Sequence, residues 1–164
     1  VVRAGLEQLL STAGDIELAG TAADGLAAVD EYERLRPDVV LMDLSMPRAD
    51  GVEATRRIRA LDPEAHIVVL TSFSEQARIL EALEAGADII LLDNFSPAEL
   101  GDLVAEVTAW HERSGGRRPL LEASGGITLD TLDAYAGTGV DLVSSGSITN
   151  SAPVLDIGLD VQPD

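Results

Sequence analysis

Short apolar runs alternate with amphipathic stretches along almost the whole chain. The runs IELAG (16–20), DVVLMD (38–43), HIVVLT (66–71), DIILLD (88–93), PLLEAS (119–124), VDLVSSG (140–146) and LDIGLDV (155–161) predict β-strands. Most are continuous rather than alternating, the pattern of strands covered on both faces in a parallel sheet. Between them, apolar residues recur at helical spacing: Leu6, Leu9, Leu10 and Ala13; Leu26, Val29, Tyr32 and Leu35; Ile79, Leu80 and Leu83; and Leu100, Leu103, Val104, Val107 and Trp110. Ser96-Pro97 reads as a helix start, with serine as cap, proline at the first helical position and Glu99 at the third. Two strands follow matching phrases, EAGAD (84–88) and AGTGVD (136–141), in which a glycine closes a helix and a strand begins at once.

Repeated βα units of this kind predict an α/β fold spanning 1–164 as one domain, a (β/α)8-barrel-like arrangement or, alternatively, an open parallel sheet. The chain opens in a helical pattern, VVRAGLEQLL, where an α/β domain ordinarily opens with a strand. A missing first strand would leave a gap, and LDIGLDV is expected to fill a vacant edge, within the chain or by exchange with a neighbour. Self-association through an unpaired strand edge is therefore expected.

Charge narrows the partners. The formal net charge is −18, from 29 acidic against 11 basic residues in a chain of 164. Such a surface repels phosphate backbones and anionic lipid, so neither nucleic acid nor a membrane is an expected partner. There is no cysteine, which excludes disulfides and cysteine-based zinc sites. No apolar run approaches the roughly 18 residues that span a bilayer. No signal-peptide pattern opens the chain, and a cytoplasmic location is expected.

The stretches DVVLMDLSMPRADGVEATRRIR (38–59) and VVLTSFSEQARILEALEAGAD (68–88) carry a specific signature, Asp-x-x-Met-Pro-x-x-x-Gly after a buried strand. Through them residues 1–88 resemble the receiver domain of a bacterial response regulator, a flavodoxin-like fold. The resemblance implies that Asp43 matches the phosphoacceptor and Thr71 the switch residue. A phosphoaspartate needs a divalent cation during transfer and a lysine beside the product. The family's acidic pair for the cation lies on a strand that would precede residue 1. Its lysine falls where this chain has Asp93, within LLDN (91–94), and a carboxylate there would repel the phosphoryl group.

From about 88 to 161 the chain resembles a different family. IILLDNFSPAEL, LLEASGGITLDTLDAYAGTGVDLVSSGSIT and SAPVLDIGLDV look like the carboxyl-terminal part of a quinolinate phosphoribosyltransferase, a TIM-barrel-like fold. That resemblance implies a phosphoribosyl pyrophosphate and Mg²⁺ chemistry in the parent. Asp93 matches the aspartate facing the ribose and metal. Ser124, Gly125 and Gly126 match the loop on the 5′-phosphate, and Gly146, with Ser145 and Ser147, matches the loop after the last barrel strand. Asn150 stands where a histidine commonly assists.

The residues themselves agree with an anion site. Glycine-rich turns let backbone N–H groups approach an anion, and a helix following at once adds its dipole; Thr128 is placed to cap a helix beginning near Leu129. Glu122 admits two readings, an interior carboxylate beside Asp93 able to share Mg²⁺, or a solvated strand-end acid. Arg56, Arg57 and Arg59 read as a solvated helix face, Arg117 and Arg118 as loop residues, and His66 and His111 as structural or exposed. The expectation is a chimera of a receiver fragment (1–88) and a transferase fragment (89–164), joined at ADIILLDNFSPAEL and engineered rather than evolved. It is expected to be no enzyme, to need no cofactor, and at most to bind phosphate or sulfate. Residual phosphoribosyltransferase activity and phosphoryl acceptance are the alternatives.

Overall fold

A computed structural model describes residues 2–46, 50–72 and 78–148. In chain order they form α1 (Val2–Thr12), α2 (Gly25–Leu35), β1 (Val40–Asp43), α3 (Gly51–Leu61), β2 (Ile67–Ser72), α4 (Ile79–Glu84), β3 (Ile89–Asp93), α5 (Pro97–Ser114), β4 (Leu120–Ser124), α6 (Leu132–Ala136) and β5 (Leu142–Val143). The five strands make one parallel sheet in the order β1-β2-β3-β4-β5. Strand order equal to chain order is the winding of a barrel segment. Among the described residues the sheet is nevertheless open, because β1 and β5 each pair on one side only. The fold is α/β.

Right-handed crossovers that always step in the same direction place their helices on one face of the sheet. Burial follows that rule. Met42, Val69, Ile90 and Leu121 form one fully covered row, and Thr71, Leu92 and Ala123 a second. Ile58, Ile79, Leu83, Leu100, Leu103 and Val107 complete the core beneath α3, α4 and α5. The alternate rows, Leu41–Val68–Ile89–Leu120 and Asp43–Leu70–Leu91–Glu122–Leu142, face the other way and stay partly open.

Local signals decide several boundaries. Ser96 and Glu99 form a reciprocal capping box, with Ser96 N–H donating to Glu99 Oε2 at 2.8 Å and Pro97 opening the helix. The capped carboxyl of Glu99 is held below its usual range chiefly by the Ser96 hydroxyl. Gly51 opens α3 where a Cβ would lie 2.2 Å from the Asp43 carbonyl oxygen, so the receiver-type glycine is required by close backbone approach.

The strand ends are fixed by a carboxylate that occurs twice. Asp88 donates its N–H to the Ile67 carbonyl at 2.9 Å and accepts the Ile67 N–H on Oδ2 at 2.8 Å. Asp141 does the same to Leu121, with both distances 2.9 Å. Each aspartate follows a left-handed glycine by two residues, Gly86 and Gly139, and each takes an arginine: Arg59 at 2.6 Å from Asp88, Arg118 at 2.8 Å from Asp141. Arg59 is thus no solvated helix residue. It is 18% exposed and also donates to the carbonyls of Gly86 and Pro63. Arg56 and Arg57 do lie at the surface, paired with Glu53.

Two further expectations change. IELAG (16–20) pairs with no strand, and Ile16 and Leu18 are exposed, since a short apolar run cannot hold strand geometry without a neighbour. VDLVSSG shortens to a two-residue strand at the sheet edge. LDIGLDV (155–161) and Asn150 lie outside the described residues. Among the described residues no helix is long and apolar enough to cross a membrane.

Two measurements probe this framework. Asp88→Ala strands a half-buried guanidinium and a strand N–H, so urea denaturation should report a loss of about 3 kcal/mol. The more exposed Asp141→Ala should lose about 1 kcal/mol. At the α2–α3 contact, Tyr32 Oη donates to Asp62 Oδ2 at 2.8 Å, and chiefly that bond lowers the Asp62 carboxyl below its usual value. A depressed folded value contributes stability above the unfolded value and loses it as pH falls through the folded one. Acid titration should therefore weaken this contact below about pH 4 in the native chain and not in Tyr32→Phe.

Candidate functional site: the carboxyl-terminal rim of the sheet

The carboxyl ends of the strands carry nearly every residue singled out in the sequence. Asp43, Asp93, Glu122 and Ser124 share the open face: Asp93 and Ser124 are register partners, and Glu122 sits one step earlier on that face, level with Leu91 and Leu142. Thr71 does not join them. It is 4% exposed, in the covered row with Leu92 and Ala123, so phosphoacceptor and switch positions fall on opposite faces. β2 continues regularly through Ser72, and strict alternation of side chains dictates that outcome.

Asp43 ends β1 and accepts the Ser45 N–H at 2.9 Å. It borders a cleft of about 480 Å³ with Leu41, Leu70, Ser45 and the α1 residues Arg3 and Glu7. Asp93 accepts the Asn94 side-chain amide at 2.7 Å. Glu122 accepts a very short hydrogen bond from the Ser144 hydroxyl. Among the described residues none of these three carboxylates has an ion pair. The chain contains no lysine anywhere, its basic residues all being arginine.

The two predicted phosphate loops meet. Ser145 Oγ donates to the Ile127 carbonyl at 2.5 Å and lies 2.7 Å from Ser147 Oγ, in the 3₁₀ turn Gly146–Ile148. This stitches Ser145, Gly146 and Ser147 to the loop Ser124-Gly125-Gly126. Gly125 and Gly126 both have positive φ, +94° and +62°. Among the described residues, the N–H groups of Gly125, Gly126 and Ile127 donate to no acceptor. Thr128 caps no helix at Leu129. Its N–H goes to the Thr131 hydroxyl, and α6 begins at Leu132 after an uncapped Thr131. Five residues of helix supply little dipole, so any anion here depends on loop N–H and hydroxyl groups.

Asn94 is the residue that sequence reasoning passed over. It adopts φ +64°, donates its N–H to the Ser124 carbonyl at 3.0 Å, and packs where a Cβ on Gly125 would stand 2.5 Å from Asn94 Oδ1. Its position directly after Asp93 and its tolerance of left-handed backbone were the available signals.

Mg²⁺ fits poorly. No group of three or more acidic, histidine or cysteine side chains converges among the described residues, and Asp93 and Glu122 are each held by a neighbouring side chain. Of the histidines, His111 Nδ1 contacts the Gly116 carbonyl at 2.6 Å in a helix-end role, and His66 is exposed.

Comparison with known proteins gives similarity to both families. The family model described as quinolinate phosphoribosyl transferase, C-terminal domain, matches residues 29–160. The chain belongs to that family. It also belongs with response-regulator receivers. A two-component response regulator of the LuxR family from Aurantimonas is 34% identical, with a TM-score of 0.53, over 83% of this chain and 88% of that one. The nicotinate-nucleotide pyrophosphorylase of Francisella tularensis is 29% identical with the same TM-score, over 68% of this chain and 37% of that one. The uncharacterized transcriptional regulatory protein YhcZ of Bacillus subtilis is 46% identical over 61% of this chain, and the response regulator VraR of Staphylococcus aureus 40% over 66%. The chain spans about half the length of these two curated relatives. The transferase match starts at residue 29, well inside the receiver-like part, so the two similarities overlap there.

Replacing Gly125 by alanine tests the seating of the loop. A Cβ would strike Asn94 in a backbone region that disfavours it, and a loss of about 2 kcal/mol in thermal or urea unfolding is expected. Gly126→Ala, with open space around its Cβ, should lose about 1 kcal/mol from backbone strain alone.

Proposed function

We propose that the chain is an engineered chimera of receiver and transferase βα units, catalytically silent, whose remaining chemistry is the binding of a phosphate-like anion at Ser124-Gly125-Gly126 and Ser145-Gly146-Ser147. The observation that carries the reading is the pairing of those loops around three unengaged N–H groups, Gly125, Gly126 and Ile127. Hydroxyls of Ser145 and Ser147 border the same place. The flanking carboxylates Asp93 and Glu122 oppose an anion, and no arginine pairs with them, so affinity should be weak.

Neither parental reaction is supported. Phosphoryl acceptance at Asp43 wants a cation on the product, and the position expected for it holds Asp93 in a chain without lysine. Phosphoribosyl transfer wants cationic groups for a dicarboxylate substrate. Arg59, Arg117 and Arg118 are paired with Asp88 and Asp141 at the opposite end of the strands, and Arg78, at the rim beside β1, is engaged by Asp50 and the Leu44 carbonyl.

The test is a phosphate titration followed by amide NMR. Shifts confined to residues 124–127 and 145–147, saturating at roughly millimolar phosphate, are the expected result, and Ser145→Ala should weaken them. Uniform small shifts, as from ionic strength, would sink anion binding. Pyrophosphate released from quinolinate and phosphoribosyl pyrophosphate with Mg²⁺, and abolished in Asp93→Ala, would restore the enzyme reading. A phosphoryl label from acetyl phosphate that disappears in Asp43→Asn would restore the receiver reading.

A further inference from the structure

The sheet face turned away from α3 to α6 has an unusual composition for an open surface. Leu41, Leu120 and Leu142 are 42%, 43% and 43% exposed, and Val68, Leu70, Ile89 and Leu91 between them are only partly covered. Near the start of the strands the face sinks into a hollow of about 560 Å³, floored by Val39, Val68, Ile89 and Leu120. A continuous apolar surface of this kind marks an interaction site rather than scattered surface leucines.

Its two ends differ in charge. His66, Arg117 and Arg118 rim the hollow. There the single charge of Asp88 is shared by Arg59 and by Arg117, whose Nη1 lies 2.7 Å from Oδ1 as a charge contact without hydrogen-bond geometry. Arg117 is 75% exposed, so this end carries surplus positive charge. The other end holds Asp43, Asp93 and Glu122, free of ion pairs among the described residues.

We propose that this face packs against the same face of a second copy, with the two sets of strands antiparallel. A two-fold axis across the strands lays β4 over β4, so that Arg117 of each copy lies over the Glu122 end of the other. The parallel alternative would set acid against acid, which a chain of charge −18 tolerates least. That charge also disfavours nucleic acid or anionic lipid as the occupant. Five strands about 4.8 Å apart and about 17 Å long give a footprint of at most roughly 400 Å² per copy, less where α1 shares a cleft with Leu41, Asp43 and Leu70, under half of a standard interface, so weak association, micromolar or looser, is expected. The inference does not depend on anion binding at the rim.

Sedimentation equilibrium of the full chain from about 1 to about 100 µM should show a reversible monomer–dimer equilibrium. Leu120→Asp should leave a monomer with unchanged circular dichroism, because Leu120 is already half open in the single copy. Arg117→Glu and Glu122→Arg should each weaken the dimer about tenfold, and the double variant should recover most of that loss. A monomer at every concentration overturns the proposal, including one in which residues of the same chain cover the face. So does a dimer indifferent to Leu120→Asp and Arg117→Glu, which would point to pairing through the strand edges.

Discussion

Everything at the rim of this sheet depends on a carboxylate at its other end. Asp88 meets β2 through its backbone and side chain together, draws Arg59 from α3 and Arg117 from the segment before β4, and passes its carbonyl to the Leu120 N–H. Its side chain is 10% exposed and poorly hydrated, and guanidiniums meet it from two sides. The bond fixes which residue of β2 lies beside which residue of β3. A slip by one residue would turn the buried rows outward and carry Asp93 to the covered face. Register is therefore the first condition for the site, and Asp88 sets it.

The same geometry explains how two unrelated chemistries come to occupy one rim. A parallel βα unit delivers its strand end, loop and helix start to the same place whatever the loop contains. Asp43 arrives there with receiver sequence, and Ser124 to Gly126 with transferase sequence. Asp93 stands where the receiver resemblance expects a lysine and carries the aspartate the transferase resemblance implies. Its side chain accepts from the Asn94 amide. Scaffold compatibility was satisfied by backbone hydrogen bonding and core volume, whereas charge complementarity at the rim was not.

Much of the fold was legible because its signals are local. Continuous runs such as IVVLT and IILLD gave the central strands, and Ser96, Pro97 and Glu99 gave the longest helix its start. The repeated glycine-to-aspartate phrases marked where β3 and β5 begin, although what the aspartates do there was invisible. Arg59 reaches Asp88 across 29 residues, and no periodicity on its own helix distinguishes it from Arg56 or Arg57. IELAG misled for a related reason: its composition suits a strand, but pairing depends on a neighbour that local sequence does not specify. At the site, the loops that meet were visible as motifs. The inward turn of Thr71 followed only from where β2 ends, and the contact of Asn94 with Gly125 only from tertiary packing.

The recurrence of the aspartate contact along the sheet has a kinetic side. Each such contact spans about twenty residues, and every strand pairs only with its neighbours in the chain. Contacts of that kind have low contact order, and the entropy of closing each loop is modest. Folding can then spread from one βα unit to the next, much as in a linear repeat array, with stability set by unit-to-unit coupling. A chain whose units resemble two families can keep cooperative folding on those terms, since each unit recognises only the one before it.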